Sequence, residues 1–124
     1  MLIVKIYFGT INESHEQCDA CTTQSSAFCR CNNIRVLEDN IAFSNIDPRL
    51  DLANHSPTGF AWGYEGSGPA QAALAILADY LGDEFALAHY QEFKRAYINK
   101  YAQDSMFQLS GEIIDFWRSI NKLT

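Results

Sequence analysis

Residues 2–11, LIVKIYFGTI, are apolar at nearly every position and rich in β-branched and aromatic side chains. A run of that kind reads as a strand that is central in a sheet or covered on both faces. Residues 12–33 break the pattern. They hold four cysteines among polar residues with no helical period, and read as an irregular loop. Residues 34–43, IRVLEDNIAF, place short apolar runs on either side of Glu38, Asp39 and Asn40, which predicts two short strands joined by a turn. From Ser44 to Gly59 the chain reads as extended segments and turns, because Pro48 and Pro57 exclude a helix.

The period then changes from two to that of a helix. A first helix is expected to begin at Pro69, with Ser67 or Gly68 as its cap and Gly82 as its stop. Ala73, Leu74, Leu77, Ala78 and Leu81 give it an apolar face. A second runs from about Asp83 to Tyr101. Phe85, His89, Phe93 and Tyr97 repeat along it at every fourth position, while Glu92, Lys94, Arg95 and Lys100 are expected in solvent. A third follows Ser110, a plausible cap, with Ile113, Phe116, Trp117 and Ile120 as its apolar stripe. Strands followed by helices predict an α+β fold, with a short N-terminal antiparallel sheet packed by three C-terminal helices. No repeat or linker divides the chain, so residues 1–124 read as a single domain with a Cys-rich loop at 12–33. Nothing in the pattern sets an oligomeric state.

Charge narrows the function. The net charge is −6, and the one basic cluster is Lys94, Arg95 and Lys100. Direct nucleic-acid binding is therefore not expected. The opening MLIVKIYFGTINE has Lys5 inside its apolar run and no small-residue cleavage site, so it does not read as a signal peptide. No stretch is apolar for long enough to span a bilayer. The expectation is a cytoplasmic protein.

In a reducing compartment, clustered cysteines point to metal more than to disulfides. Cys18 and Cys21 are spaced C-x2-C, which lets two sulfurs reach one tetrahedral centre. Cys29 and Cys31 form a less usual C-x-C pair, and His15 could replace one thiolate. The leading expectation is one structural zinc held by Cys18, Cys21, Cys29 and Cys31, with free thiols or a disulfide as the alternatives.

The stretch HSPTGFAWGYEGSGPAQAALA, residues 55–75, carries the remaining chemistry. A glycine-rich turn ahead of a helix can present backbone N–H groups to an anion through Ser67 and Gly68. It lacks the lysine of a P-loop, and no lysine or arginine lies between Arg49 and Lys94. His55 with Ser56 or Ser67 could serve a hydrolase, but no one carboxylate stands out to orient the histidine. The reading that best fits the residues is structural. Its glycines allow turns and close approach, and Phe60, Trp62 and Tyr64 alternate so as to fill a gap between sheet and helices.

Asn54, His55, Ser56, Pro57, Gly59, Phe60, Trp62, Gly63, Tyr64, Gly66, Ser67, Gly68, Pro69, Ala70 and Gln71 form a block that resembles the hallmark of a family of short bacterial and phage proteins, catalogued as a domain of unknown function. Tyr90, Gln91, Phe93, Lys94 and Trp117 extend the resemblance, which covers about residues 34–120. The four-cysteine segment departs from it. The resemblance implies a compact domain common on mobile elements and brings no activity with it.

Together these point to a non-catalytic, acidic protein-binding module from a phage or mobile element. Its partner would be a host protein or nucleoprotein, with inhibition or modulation of a nucleic-acid machine such as a CRISPR-type defence complex as the expected effect. The alternative is a small enzyme or anion-binding protein that uses His55, Ser56, Ser67 and Gly68. Candidate partner contacts are Glu13, Glu16 and Asp19 near the cysteines, and Glu38 and Asp39 at the hairpin turn. One prediction belongs to the cysteines alone. Protein purified without added metal should carry about one zinc per chain by elemental analysis. Four freely titratable thiols and no transition metal would overturn the zinc assignment.

Overall fold

The computed structural model describes residues 4–11, 32–56, 59–103 and 105–123. The four cysteines, His15 and the acidic residues Glu13, Glu16 and Asp19 lie outside them. Among the described residues no group of three or more histidine, cysteine or acidic side chains could hold a metal ion.

The elements in chain order are β1 (Lys5–Thr10), β2 (Asn33–Glu38), β3 (Ala42–Asn45), α1 (Ser67–Leu81), α2 (Asp83–Ala96), a 3-10 turn (Ile98–Lys100), β4 (Phe107–Ser110) and α3 (Gly111–Ile120). The fold is α+β, as expected. Among the described residues four antiparallel strands lie in the order β3-β2-β1-β4. The fourth strand corrects the expected order of strands first and helices after. Phe107 and Leu109 point inward while Gln108 is exposed. Four residues are too few for that alternation to be told from a loop by sequence. Pairing with β4 on one side and β2 on the other makes β1 central, which accounts for its almost continuous apolar character.

The β2–β3 turn is the one expected. Asp39 and Asn40 both take positive φ, at 52° and 59°, and the Ile41 N–H donates to the Glu38 carbonyl at 3.0 Å. Left-handed geometry at both central residues matches the twist of a hairpin, and Asp and Asn tolerate it best after glycine. The Asp39 carboxylate also accepts from the Val4 N–H at 2.9 Å.

Tyr7, Ile34, Val36, Phe107 and Leu109 line the inner face of the sheet and join one core with the helices. α1 crosses that core. Gly68 through Ala78 are all buried, so the expected single apolar face is widened to the whole circumference. Alanine at 70, 72, 73, 75 and 78 keeps the helix thin enough for neighbours to approach from every side. At its C-terminal end, the Tyr7 hydroxyl donates to Asp79 at 2.7 Å and the Lys5 ammonium to the same carboxylate at 3.2 Å. Burial, with Asp79 beside it, pushes the Tyr7 phenol far above its ordinary pKa.

Expectations about each of the three described helices need correction. α1 starts at Ser67 with Gly66 in the capping position and no side-chain cap, so neither Ser67 nor Gly68 caps it. α2 ends at Ala96, before a 3-10 turn, and Lys94 is buried where solvent was expected. In α3, Ser110 does cap, accepting from the Ile113 N–H at 3.4 Å, but the buried face is Gly111, Ile114 and Trp117. Ile113, Phe116 and Ile120 are 38%, 62% and 58% exposed. Gly111 sets this rotation, because a Cβ there would come within 2.6 Å of the Tyr80 ring. Trp117 then packs on Phe93 at 5.0 Å and on Phe85 at 6.4 Å.

Trp62 is fully buried and meets Phe107 edge-on at 4.8 Å. Trp62→Ala should lower stability by about 3–5 kcal/mol, as truncation of large aromatic core residues does. Chemical denaturation checks this. A variant with unchanged stability would show that the indole is not part of the core.

Candidate functional site

The block that stood out in the sequence folds around a single buried amide. Gln71 lies in the second turn of α1 with none of its surface exposed. Its side-chain oxygen accepts from the backbone N–H groups of His55, at 2.8 Å, and Ser56, at 3.1 Å. Its side-chain nitrogen donates to the carbonyls of Pro48, at 2.5 Å, and Ala53, at 3.0 Å. An amide offers two donors and two acceptor sites, and here all four are used. The segment between β3 and α1 is thereby tied to the helix at four points. Gln71 belongs to the resemblance block, but its role was not legible. A glutamine among alanines looks like a break in an apolar face.

A second fastening holds the start of the same segment. Arg49 has φ 58° and receives the Asp47 carboxylate on its backbone N–H at 2.7 Å. Its guanidinium forks onto Asp83 through two hydrogen bonds of 2.8 Å and onto Asp51 through two of 3.1 Å. These bonds hold the Asp83 and Asp51 carboxyls below their usual range. Asp83 opens α2, where a negative charge also favours the helix N-terminus.

These ties fix where the candidate chemical groups point. His55 Nε2 lies 2.6 Å from the Tyr90 hydroxyl on α2. The Ser56 hydroxyl is buried and donates to the Gly59 carbonyl at 2.6 Å. Among the described residues no carboxylate bonds to His55. Ser67 is exposed on the first turn of α1, and Gly68 is buried. A Cβ on Gly68 would lie 2.6 Å from the Ala61 Cβ, so this glycine serves close packing of loop on helix.

Phe60 and Trp62 enter the core, as the alternating pattern suggested, and Tyr64 is partly buried. The Trp62 indole N–H donates to the Ser105 carbonyl at 2.8 Å, which connects the loop to the segment leading into β4. Gly63, with φ 87°, donates its N–H to Ile98 at 2.9 Å, and a Cβ there would strike the Tyr101 carbonyl at 2.5 Å. No side chain fits at that position.

Glu65 explains the buried lysine. Its carboxylate takes the Lys94 ammonium at 2.5 Å and also accepts from the Asn99 side chain. The Lys94 hydrogen bond holds the Glu65 carboxyl below its ordinary range. The Lys94 side chain is 5% exposed and the Glu65 side chain 60%, so the lysine stem packs inside while its charge is met at the surface. The basic cluster expected around Lys94, Arg95 and Lys100 thus has one member already committed.

Glu38 and Asp39 do lie together at the hairpin tip. Each is partly engaged: Glu38 pairs with Lys5 at 3.5 Å, and Asp39 holds the Val4 N–H.

Gln71→Leu keeps the volume and removes the four partners. It should lower stability by roughly 3 kcal/mol or more, since several buried backbone groups lose their hydrogen bonds at once. Hydrogen exchange at the His55 and Ser56 amides should accelerate well beyond the global change. Exchange there that only tracks global stability would remove Gln71 as the anchor of the segment.

No curated protein and no solved structure matches the chain. A family model does match, over residues 30–119, which contains the block around Gln71, both long helices and most of α3. The chain belongs to the family of unknown function DUF6166.

Proposed function

We propose that this chain is a non-catalytic protein-binding module that docks through α3. The observation that carries this reading is the exposed stripe of Ile113, Phe116 and Ile120. These positions fall on one side of the helix, while Gly111, Ile114 and Trp117 face the core on another. A helix that is apolar on two faces has one face too many for the body it belongs to, and an apolar stripe with polar neighbours is how helix-borne interfaces present themselves. A recess of 250 Å³ opens beside the start of the helix, lined by Lys5, Tyr80, Ser110, Glu112 and Asp115 among others. It offers a place for an anchoring side chain of the partner.

The net charge of −6 favours a partner with a basic surface and speeds their encounter at low salt. A host nucleic-acid machine, including a CRISPR-type defence complex, has that character. An origin in a phage or mobile element would supply the setting. In this reading a zinc ion on Cys18, Cys21, Cys29 and Cys31 is structural, and Glu38 and Asp39 contribute charge at the hairpin tip. The enzymatic alternative draws less support. The side chains of His55 and Ser56 bond within the fold, and among the described residues no carboxylate bonds to the imidazole.

Phe116→Glu tests the reading. The substitution lies on an exposed position, so melting temperature should stay within a few degrees. A partner captured stoichiometrically by the unaltered chain should be lost, with affinity down at least about thirtyfold, as for a hot-spot residue worth about 2 kcal/mol or more. Capture unaffected by Phe116→Glu would remove α3 from the interface. Turnover of any substrate that disappears in His55→Ala would replace the binding module with an enzyme.

A further inference from the structure

β3 is an edge strand, and no described residue pairs with its outer edge. All four of its residues are exposed. The Ile46 N–H donates to the Ile34 carbonyl at 2.9 Å, and this bond sets the phase of the β2–β3 ladder. Hydrogen-bonded pairs recur at every second residue of an antiparallel ladder. Ser44 and Ala42 therefore spend their backbone groups on Val36 and Glu38. Phe43 and Asn45 aim theirs away from the sheet, where nothing among the described residues meets them. From Ile41 to Ile46 the sequence IAFSNI carries no charge and no proline. Charge and proline are two of the devices that keep natural edges from pairing.

We infer that β3 pairs with β3 of a second copy, antiparallel, about a two-fold axis through Ser44. With Ser44 opposite Ser44, Phe43 of each copy falls opposite Asn45 of the other. Those are the residues whose N–H and C=O groups point outward, so each such pair exchanges two hydrogen bonds and every open group is satisfied. The two four-stranded sheets become one continuous sheet. Phe43 lies on the outer face, 49% exposed, with Phe8 at 5.5 Å and the Arg35 guanidinium 4.7 Å from its ring. In this register the two Phe43 rings become diagonal neighbours across the seam, a distance that aromatic side chains bridge.

The outward groups lie symmetrically about Ser44, so the edge is complementary to a second copy of itself. Over the strand and the residue after it, Ala42 falls opposite Ile46 and Phe43 opposite Asn45, and none of these is charged. No like charges face each other along the seam. The remaining electrostatic term is the long-range repulsion of two bodies of charge −6. Added salt screens that repulsion, so self-association should strengthen as salt rises. Docking of a basic partner has the opposite dependence. The two surfaces are separate, and the pairing of β3 does not rest on the binding role of α3.

The test is sedimentation equilibrium in reducing buffer, from micromolar to submillimolar protein, at low and high sodium chloride. The expected result is a monomer–dimer equilibrium that tightens with salt, with the Phe43 and Asn45 amides gaining protection from hydrogen exchange as concentration rises. Asn45→Pro removes an outward N–H that β2 does not use, and an edge strand accepts proline there. Phe43→Lys places a charge at the seam without touching the core. Each should give a folded monomer at every concentration, while Phe116→Glu should leave the dimer intact. If Asn45→Pro fails to fold, Phe43→Lys alone decides. A chain that stays monomeric throughout, a dimer that weakens with salt, or a dimer that survives Phe43→Lys would overturn the inference.

Discussion

The buried side-chain amide of Gln71 is the interaction on which the rest of the structure turns. Between Asn45, where β3 ends, and Ser67, where α1 begins, the described chain holds little regular structure, so the ladder bonds of a helix or sheet do not satisfy its backbone. Burying such a segment without partners costs far more than a domain's stability can bear. One glutamine, fixed on the most buried helix of the fold, supplies partners to Pro48, Ala53, His55 and Ser56 at once. The consequences run outward from there. Ser56 is placed to close on Gly59, His55 to meet Tyr90, and the chain is aimed so that Phe60 and Trp62 enter the core. Trp62 then reaches Ser105 and so links the loop to the segment that becomes β4.

That arrangement demands a thin helix. α1 is surrounded over most of its length, and its neighbours reach it because five of its positions are alanine and one is the glycine at 68. Packing density in a core is uniform, so small side chains on one element require large ones on the elements around it. Tyr7, Phe60, Trp62, Phe85, Phe93, Phe107 and Trp117 are those large residues, and they come from strands, loop and the two other helices. The composition of α1 and the aromatic content of its surroundings are thus a single constraint seen from two sides.

Local chemistry was legible in the sequence, and long-range pairing was not. The hairpin turn at Asp39 and Asn40, the stop at Gly82 and the cap at Ser110 depend on residues within a few positions of one another, and each is found where the pattern put it. The block around Trp62 was recognisable as structural for the same reason. Lys94 is buried because Glu65, 29 positions away, meets its charge, and no periodicity contains that information. α3 carries apolar residues on more than half of its circumference, so the pattern allowed several rotations. The choice among them falls to Tyr80, which admits only a glycine at 111. β4 was missed because a strand of four residues is defined by its neighbour, β1, and not by itself.

Two surfaces that the fold leaves without a described partner differ in kind. On α3 the surface is apolar side chains: Ile113, Phe116 and Ile120 project from a helix whose own backbone is satisfied. Only shape and burial can recognise such a surface, and it suits a partner with a groove. On β3 it is polar backbone, since Phe43 and Asn45 turn their peptide groups outward beside one exposed aromatic ring. Peptide groups are the same in every protein, so a bare edge discriminates poorly, and its selectivity comes from register and from the side chains beside it. A small acidic domain with both surfaces can engage a second copy through one and a different protein through the other without competition between them. The opposite salt dependence of the two contacts follows from the same net charge: repulsion between copies is screened in one case, and attraction to a basic partner in the other.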